Sequence, residues 1–218
     1  MNKSVILQRT KDHLKKKFAA EGTGHDWWHI ERVLNNATAI AKREKGADLF
    51  IVQLGALLHD IADWKFHGGD DKAGNRASIK WLKSVGADEA TIKKVVHIVD
   101  NVTFKGLGVA SKMQSLEGKI VQDADRLDAI GAMGIARAFS YGGHTNRPLH
   151  NPEVKAQSHK SFKEYKKGGE TTINHFYEKL LHLKDLMNTK AGRKMALERH
   201  KFLVAYLKEF YAEWNGTK

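Results

Sequence analysis

The sequence predicts an all-α fold, and three observations lead to that prediction. Apolar residues recur at spacings of three and four over most of the 218 residues, as the buried stripe of a helix requires. No stretch carries a convincing strand signal, which would be an alternation of apolar and polar residues. Both prolines of the chain lie in one stretch, at positions 148 and 152, so helices can run uninterrupted elsewhere.

Capping and turn residues divide the chain into successive helices. The predicted bounds are about 2–20, 26–45, 48–63, 71–85, 88–101, 115–139, 171–188 and 190–214. Asp26 and Asp88 suit N-cap positions, and Gly46 suits a C-terminal stop. The third helix is apolar on nearly all sides, which is typical of a central, buried helix. Residues 139–152, with both prolines and two glycines, are expected to be an irregular excursion that acts as a lid or binding loop.

Composition limits the classes of function. The chain has no cysteine, which excludes disulfides, zinc–thiolate sites and cysteine nucleophiles. No run approaches the roughly 20 apolar residues of a membrane span, and the first residues become charged before a signal-like stretch can form, so we expect a cytoplasmic protein. A formal charge of +12 indicates either a polyanionic partner or a lysine-rich solvated surface. No Arg-rich or aromatic-interleaved segment marks a nucleic-acid module.

The third predicted helix ends in a run in which His59 and Asp60 follow two leucines, and Asp63 lies one turn further on. Burial of an imidazole and a carboxylate among apolar residues costs several kcal/mol unless something compensates them. A divalent metal ion suits this pair of ligands. Alone, however, such a doublet is more often a surface or polar core pair than a metal site.

Two further stretches carry residues of the same kind. His29 lies on the inward stripe of the second helix with Val33 and Ala37, where a lone histidine is more often a hydrogen-bonded core residue. Asp125 and Asp128 share one face of an apolar helix, and two carboxylates there repel each other unless a cation lies beside them. Metal ligation by Asp125, with Asp128 in a supporting position, resolves the repulsion. Asp128 can also cap or pair with an arginine, and the candidates are Arg32, Arg126 and Arg137.

Together the three stretches resemble the HD-domain superfamily of metal-dependent phosphohydrolases. That family holds a divalent metal ion with a histidine, then a His-Asp doublet, then a distant aspartate. The matching positions are His29, His59, Asp60 and Asp125. The resemblance implies an HD-domain helical bundle with a C-terminal helical extension.

The last third of the chain extends the resemblance. The segments 171–181 and 187–199 are similar to a small bacterial subgroup of single-domain HD proteins. We therefore expect one domain over residues 1–218, with a metal-binding core at about 22–140 and a C-terminal helical part at about 152–215. The subgroup includes enzymes that cut a nucleoside triphosphate to a monophosphate and pyrophosphate.

A site of two imidazoles and two carboxylates suits Mn, Fe, Mg, Co, Ni or Zn ions more than copper, and does not choose among them. Such an ion lowers the pKa of a bound water, which can then attack phosphorus. Asp63 is the candidate general acid or base, and Lys65 the candidate to stabilise developing charge. The candidates for substrate binding are Asn101, Lys105, Arg126 and Arg147. Asp26 fits a supporting or helix-capping role, and His97 is either a second-metal ligand or, more often in such positions, a packing residue.

The predicted function is metal-dependent hydrolysis of a nucleotide, with a triphosphate favoured. The alternatives are a nucleotide monophosphatase, a phosphodiesterase or nuclease of the same family, and a non-catalytic nucleic-acid-binding protein. Neither a P-loop nor a Gly-Xaa-Ser-Xaa-Gly elbow is present in the sequence, so the corresponding mechanisms are not favoured. The expected partner is a small-molecule nucleotide or another phosphate ester, with no membrane and with nucleic acid not favoured.

Overall fold

The computed structural model describes residues 2–19, 26–62, 70, 72–104, 109–157 and 171–218. Over these residues the fold is all-α, as predicted, with no strand. The α-helices are α1 (Lys3–Lys17), α2 (Trp27–Ala41), α3 (Leu49–Leu58), α4 (Ala73–Ser84), α5 (Glu89–Asn101), α6 (Leu116–Asp128), α7 (Gly131–His144), α8 (Thr172–Glu178) and α9 (Lys190–Trp214). A 3₁₀ helix, Leu180–Leu186, lies between α8 and α9. Within the same ranges, no helix is both long enough and apolar enough to cross a membrane.

The described residues form two compact units. The first comprises the residues up to Phe104 together with Ser111–Asp125, and the second comprises the described residues 109–110 and those from Arg126 to Lys218. The division therefore falls inside α6, earlier in the chain than the expected end of the metal-binding core near residue 140. The expectation of one domain over residues 1–218 stays a prediction.

Helix α3 is the centre of the first unit. Every residue from Phe50 to Leu58 except Gln53 is buried, and the helix packs against α1, α2 and α5. Asp48 begins it, because its Oδ1 accepts a hydrogen bond from the Phe50 amide at 3.0 Å. At Gly55 an added Cβ would lie 2.9 Å from Cδ1 of Ile98, so the glycine permits the close approach of α5.

Helix α1 is attached to the same unit by a buried stripe and by one tryptophan. Ile6, Thr10 and Leu14 are its buried residues. The indole N–H of Trp81, on α4, donates to Oγ1 of Thr10 at 3.0 Å. The same indole stacks on the His13 ring, with centroids 3.9 Å apart and planes 11° apart. The inward face of α1 is therefore fixed over at least two turns.

In the second unit, helix α7 packs against α8 and α9. Phe176 is fully buried, and its ring stacks on that of Tyr206 with centroids 5.8 Å apart. Phe139 joins both rings at 6.0 and 6.1 Å. An aromatic cluster thus links the three helices.

Several predicted helix bounds are wrong. The single helix expected over 115–139 is two helices, α6 and α7, because Ile130 is extended (φ −132°) and Gly131 adopts φ +73°. A positive φ is the left-handed region that only glycine enters without strain, and it interrupts the helical hydrogen bonds. Helix α7 then continues to His144, so the first residues of the expected excursion are helical.

Three other helices are shorter than predicted. Helix α2 ends at Ala41 rather than near residue 45, and α3 ends at Leu58, where the chain turns, rather than at residue 63. The helix expected over 171–188 breaks at Lys179, whose φ of −142° and ψ of −58° separate α8 from the 3₁₀ helix. Each end depends on a local turn that apolar periodicity does not encode.

Candidate metal centre

Two histidines that are 30 residues apart in sequence meet inside the first unit. His29 lies in the first turn of α2, and His59 follows the last residue of α3. Their side chains are each only 1% exposed, and their Nε2 atoms lie 3.2 Å apart. The two imidazoles therefore direct the same ring nitrogen to one point.

Two carboxylates complete the cluster. Oδ2 of Asp60 lies 3.4 Å from Nε2 of His29 and 3.5 Å from Nε2 of His59. Oδ1 of Asp125 lies 3.7 and 3.9 Å from the same two atoms. The Asp60 side chain is 17% exposed and that of Asp125 is 32% exposed. The carboxylates are consequently the side of the cluster that is open to solvent, and the imidazoles are the closed side.

Hydrogen bonds fix the ring of one histidine and the backbone of the other. Nδ1 of His59 lies 2.8 Å from the carbonyl oxygen of Ala56, one turn back on α3. A carbonyl oxygen only accepts, so Nδ1 carries the proton and the Nε2 lone pair points at the cluster. At the other histidine, the N-cap residue Asp26 accepts a hydrogen bond from the His29 amide at 2.8 Å. The helix-capping role predicted for Asp26 is thus formed, and it fixes the backbone that carries His29.

The donor set fits a divalent metal ion. Ligand atoms that are about 2.1 Å from one ion lie about 3 Å apart at right angles and about 4.2 Å apart when opposite, and the separations of 3.2–3.9 Å in this cluster fall between these limits. The Nε2 atoms and an Asp125 carboxylate oxygen all lie within 4.8 Å of one another. Two nitrogen and two oxygen donors without a thiolate match the ions of the first transition row and magnesium. His29, His59, Asp60 and Asp125 would hold the ion.

Other predicted site residues make contacts within their own units. Asn101 ends α5, and its side-chain amide donates to the His97 carbonyl at 2.9 Å and lies 3.4 Å from the Nδ1 atom of that residue. Arg126 donates to the Leu186 carbonyl, and the Arg147 guanidinium lies 5.9 Å from the Tyr141 ring centroid. Their roles in substrate binding stay predictions. Asp63, Lys65 and Lys105 lie outside the described residues.

Asp128 pairs with an arginine, as one of the two sequence interpretations held. Its Oδ2 lies 3.1 Å from Nη1 of Arg137, and the two side chains are 1% and 18% exposed. Burial lowers the pKa of Arg199, and the nearby negative charge of Asp128 offsets part of this decrease. Of the three candidates, Arg137 is thus a partner of Asp128.

Sequence reasoning missed Gln122, which lies one turn before Asp125 on α6. Its side chain is almost fully buried, and its Nε2 donates to the Asn101 carbonyl at 2.8 Å and to Oγ of Ser111 at 3.0 Å. These hydrogen bonds attach the end of α5 to the helix that carries Asp125. The available signal was a polar residue at i−3 from a ligand on an apolar helix face.

Comparison with known proteins identifies the family. The HD domain family matches residues 27–130. The protein YpgQ of Bacillus subtilis is 40% identical over 199 residues, covering 90% of this chain and 87% of YpgQ. A crystal structure of YpgQ in complex with ADP has a TM-score of 0.74 at 34% identity and covers 95% of this chain and 97% of YpgQ.

Two further crystal structures are similar over nearly the whole length. A protein of Lactobacillus plantarum has a TM-score of 0.85 at 34% identity, covering 96% of this chain and 97% of that one. An HD-superfamily hydrolase of Bacillus thuringiensis has a TM-score of 0.76 at 37% identity, covering 98% and 99%. From the motif, the geometry and these relatives together, the chain belongs to the HD family of metal-dependent phosphohydrolases.

Proposed function

We propose that the chain hydrolyses a nucleotide, cutting a nucleoside triphosphate to a monophosphate and pyrophosphate with water as the nucleophile. The observation that carries the proposal is the convergence of two Nε2 atoms and two carboxylates at separations of 3.2–3.9 Å. A divalent ion held there supplies Lewis-acid polarisation of a phosphoryl oxygen and lowers the pKa of a bound water.

The residues in and near the cluster are proposed to have different roles. The buried imidazoles of His29 and His59 exclude water from one side and, through the Ala56 carbonyl, keep one lone pair in place. Asp125, with the most exposed side chain of the four, borders the side from which a phosphate and a water can enter. Asp63 is proposed to move a proton, and Lys65 and Lys105 are proposed to offset charge that develops on the phosphoryl oxygens.

A nucleotide is the favoured substrate for two reasons. YpgQ, to which the chain is similar over nine-tenths of its length, has been crystallised with ADP. The formal charge of +12 favours a polyanion such as a triphosphate over a neutral or singly charged ester. Both reasons concern only the substrate. The assignment of the metal ligands does not depend on them.

The test is a substrate panel on metal-stripped protein that is reloaded separately with Mn(II), Mg(II), Co(II), Ni(II) and Zn(II). The panel contains dNTPs, NTPs, monophosphates, cyclic nucleotides and a short oligonucleotide, and phosphate and pyrophosphate are measured separately. Pyrophosphate from triphosphates is the expected product. Phosphate from monophosphates would replace the proposal with a nucleotidase, and shortening of the oligonucleotide would replace it with a nuclease.

A matched pair of variants assigns any activity to this site. His59→Ala removes a buried ligand, whereas His182→Ala removes an exposed histidine whose Nε2 donates to the Tyr177 carbonyl. Loss of activity is expected only in the first. Equal activity of the two variants would show that contaminating phosphatase, or another site, produces the signal.

A further inference from the structure

The turn that carries Asp60 is fixed at its far end by a lysine from another helix. Nζ of Lys17, the last residue of α1, donates to the carbonyl oxygen of Ile61 at 2.5 Å, across 44 residues of sequence. Ile61 follows Asp60 directly. Its amide donates to the Leu58 carbonyl at 3.1 Å, and its side chain is 2% exposed.

Lys17 reaches this position because of where it lies on α1. Seven residues separate it from Thr10 and three from Leu14, so it lies on the same face of α1, at the exposed C-terminal end, and its amine reaches inward to the part-buried Ile61 carbonyl. Thr10 and His13 are held by Trp81, which fixes the helix one and two turns before Lys17. Burial lowers the pKa of the Lys17 ammonium, as expected for an amine that is partly withdrawn from water.

We propose that Lys17 is a positioning residue for the metal centre, which holds the Ile61 carbonyl and thereby the orientation of the Asp60 carboxylate. Residue 60 then lies between His59, whose ring is attached to Ala56, and Ile61, whose carbonyl is attached to Lys17. Removal of the amine frees one end of the turn. The Ile61 carbonyl then gains rotational freedom, and Asp60 spends less time in the arrangement that a metal ion requires.

The alternative is that Lys17 only stabilises the C-terminus of α1. The last turn of that helix carries Lys15, Lys16 and Lys17, all of which interact favourably with the helix dipole. Lys16 is exposed and precedes Lys17 directly, so its charge interacts with the same helix dipole. It is therefore the matched control.

The absence of cysteine from the chain permits a chemical rescue at one atom. Lys17→Cys introduces a unique thiol, and alkylation with 2-bromoethylamine turns it into a thioether amine of nearly the length of lysine, with loss of bromide. Lys16→Cys, treated in the same way, is the control. The Mn(II) dissociation constant of each metal-stripped protein is measured by calorimetry before and after alkylation, together with thermal unfolding of the metal-free forms.

Loss of an outer contact of a metal ligand costs about 10–100-fold in metal affinity, and Lys17 acts through the backbone, so about tenfold is expected for Lys17→Cys. Alkylation should restore the wild-type value to within about twofold, and Lys16→Cys should stay within about twofold throughout. Lys17→Met is an independent variant with the same expected loss. An unchanged Mn(II) affinity, a loss that alkylation does not restore, or failure of both Lys17 variants to fold would overturn the proposal.

The inference rests on the proposed metal-dependent function, but the two fail in different ways. Wild-type protein that binds Mn(II) and releases no pyrophosphate would contradict the nucleotide assignment and leave the Lys17 test intact. A decrease in metal-free unfolding temperature with unchanged Mn(II) affinity would assign Lys17 to the stability of α1 and reject the positioning role.

Discussion

His59 uses its two ring nitrogens for different purposes. The protonated Nδ1 is attached to the backbone of its own helix, and Nε2 faces His29, Asp60 and Asp125. The direction of the Nε2 lone pair is therefore set by the backbone, and as the proposed metal ligand His59 would need no reorientation to bind an ion. An imidazole that was free to rotate would lose conformational entropy on binding.

We predict that His59→Ala or Asp60→Ala abolishes Mn(II) binding and phosphohydrolysis while the helical content is unchanged. The removed groups are the proposed ligands, and we expect the surrounding helices α2, α3 and α5 to keep their packing. Calorimetric titration with Mn(II) and far-ultraviolet circular dichroism measure the two effects. Full activity of either variant would contradict the assignment of the site.

Asp128 leads to a prediction about stability. Asp128→Ala leaves the largely buried Arg137 without this carboxylate, and breaking a buried ion pair in this way costs about 3–5 kcal/mol. Asp185→Ala is the control. Asp185 lies 2.7 Å from Lys184, and its carboxylate is exposed to solvent. Exposed ion pairs contribute about 1 kcal/mol or less. Urea unfolding distinguishes them. Equal losses would show that the Asp128 pair is not effectively buried.

At the level of the helix, the N-cap of α2 also holds the backbone of His29. Asp26→Ala removes the acceptor for the His29 amide and is expected to cost about 1 kcal/mol of stability, whereas asparagine caps nearly as well as aspartate. We therefore expect Asp26→Asn to keep both stability and Mn(II) affinity, and Asp26→Ala to lower both. Thermal unfolding and calorimetric Mn(II) titration measure both effects, and equal losses in the two variants would mean that the charge of Asp26 matters and the capping explanation is wrong.

Some helix bounds could be predicted from side chains, whereas others depend on the backbone conformation of one residue. The caps Asp26 and Asp88 and the range of α9 follow from side-chain chemistry and periodicity, and the structure has them as predicted. The break at Gly131 could not be found in the same way, because α6 and α7 are both amphipathic and a single φ angle separates them. The spacing of apolar residues in the sequence does not change at one residue with an unusual φ angle.

The site was predictable to a different extent. Its four ligand positions follow from a motif, and the structure brings them together. Gln122 and Lys17 were not predicted, since each contacts a backbone carbonyl of a residue distant in sequence. Carbonyls are present at every position, so no residue type marks the one that will be bonded.

For the whole molecule, the charge of +12 has a consequence for kinetics. Attraction of a triphosphate is screened as ionic strength rises from about 0.05 to about 0.3 M, because the Debye length falls to about 6 Å. We expect kcat/KM for a triphosphate to fall several-fold over that range, chiefly through KM. Steady-state assays with NaCl measure this, and a substrate of lower charge should respond less. Equal salt responses of the two substrates would argue against long-range attraction.

Contacts in and around the candidate metal centre join distant parts of the chain. His29 and His59 are 30 residues apart, Lys17 and Ile61 are 44 apart, and Thr10 and Trp81 are 71 apart. Contacts of such separation form late or slowly in folding, because the loops between them must close first. An ion held by His29 and His59 would therefore find its ligands only after these parts of the chain have assembled, in contrast to small zinc domains that fold around the metal. Added Mn(II) should accordingly slow unfolding and leave the rate of refolding unchanged.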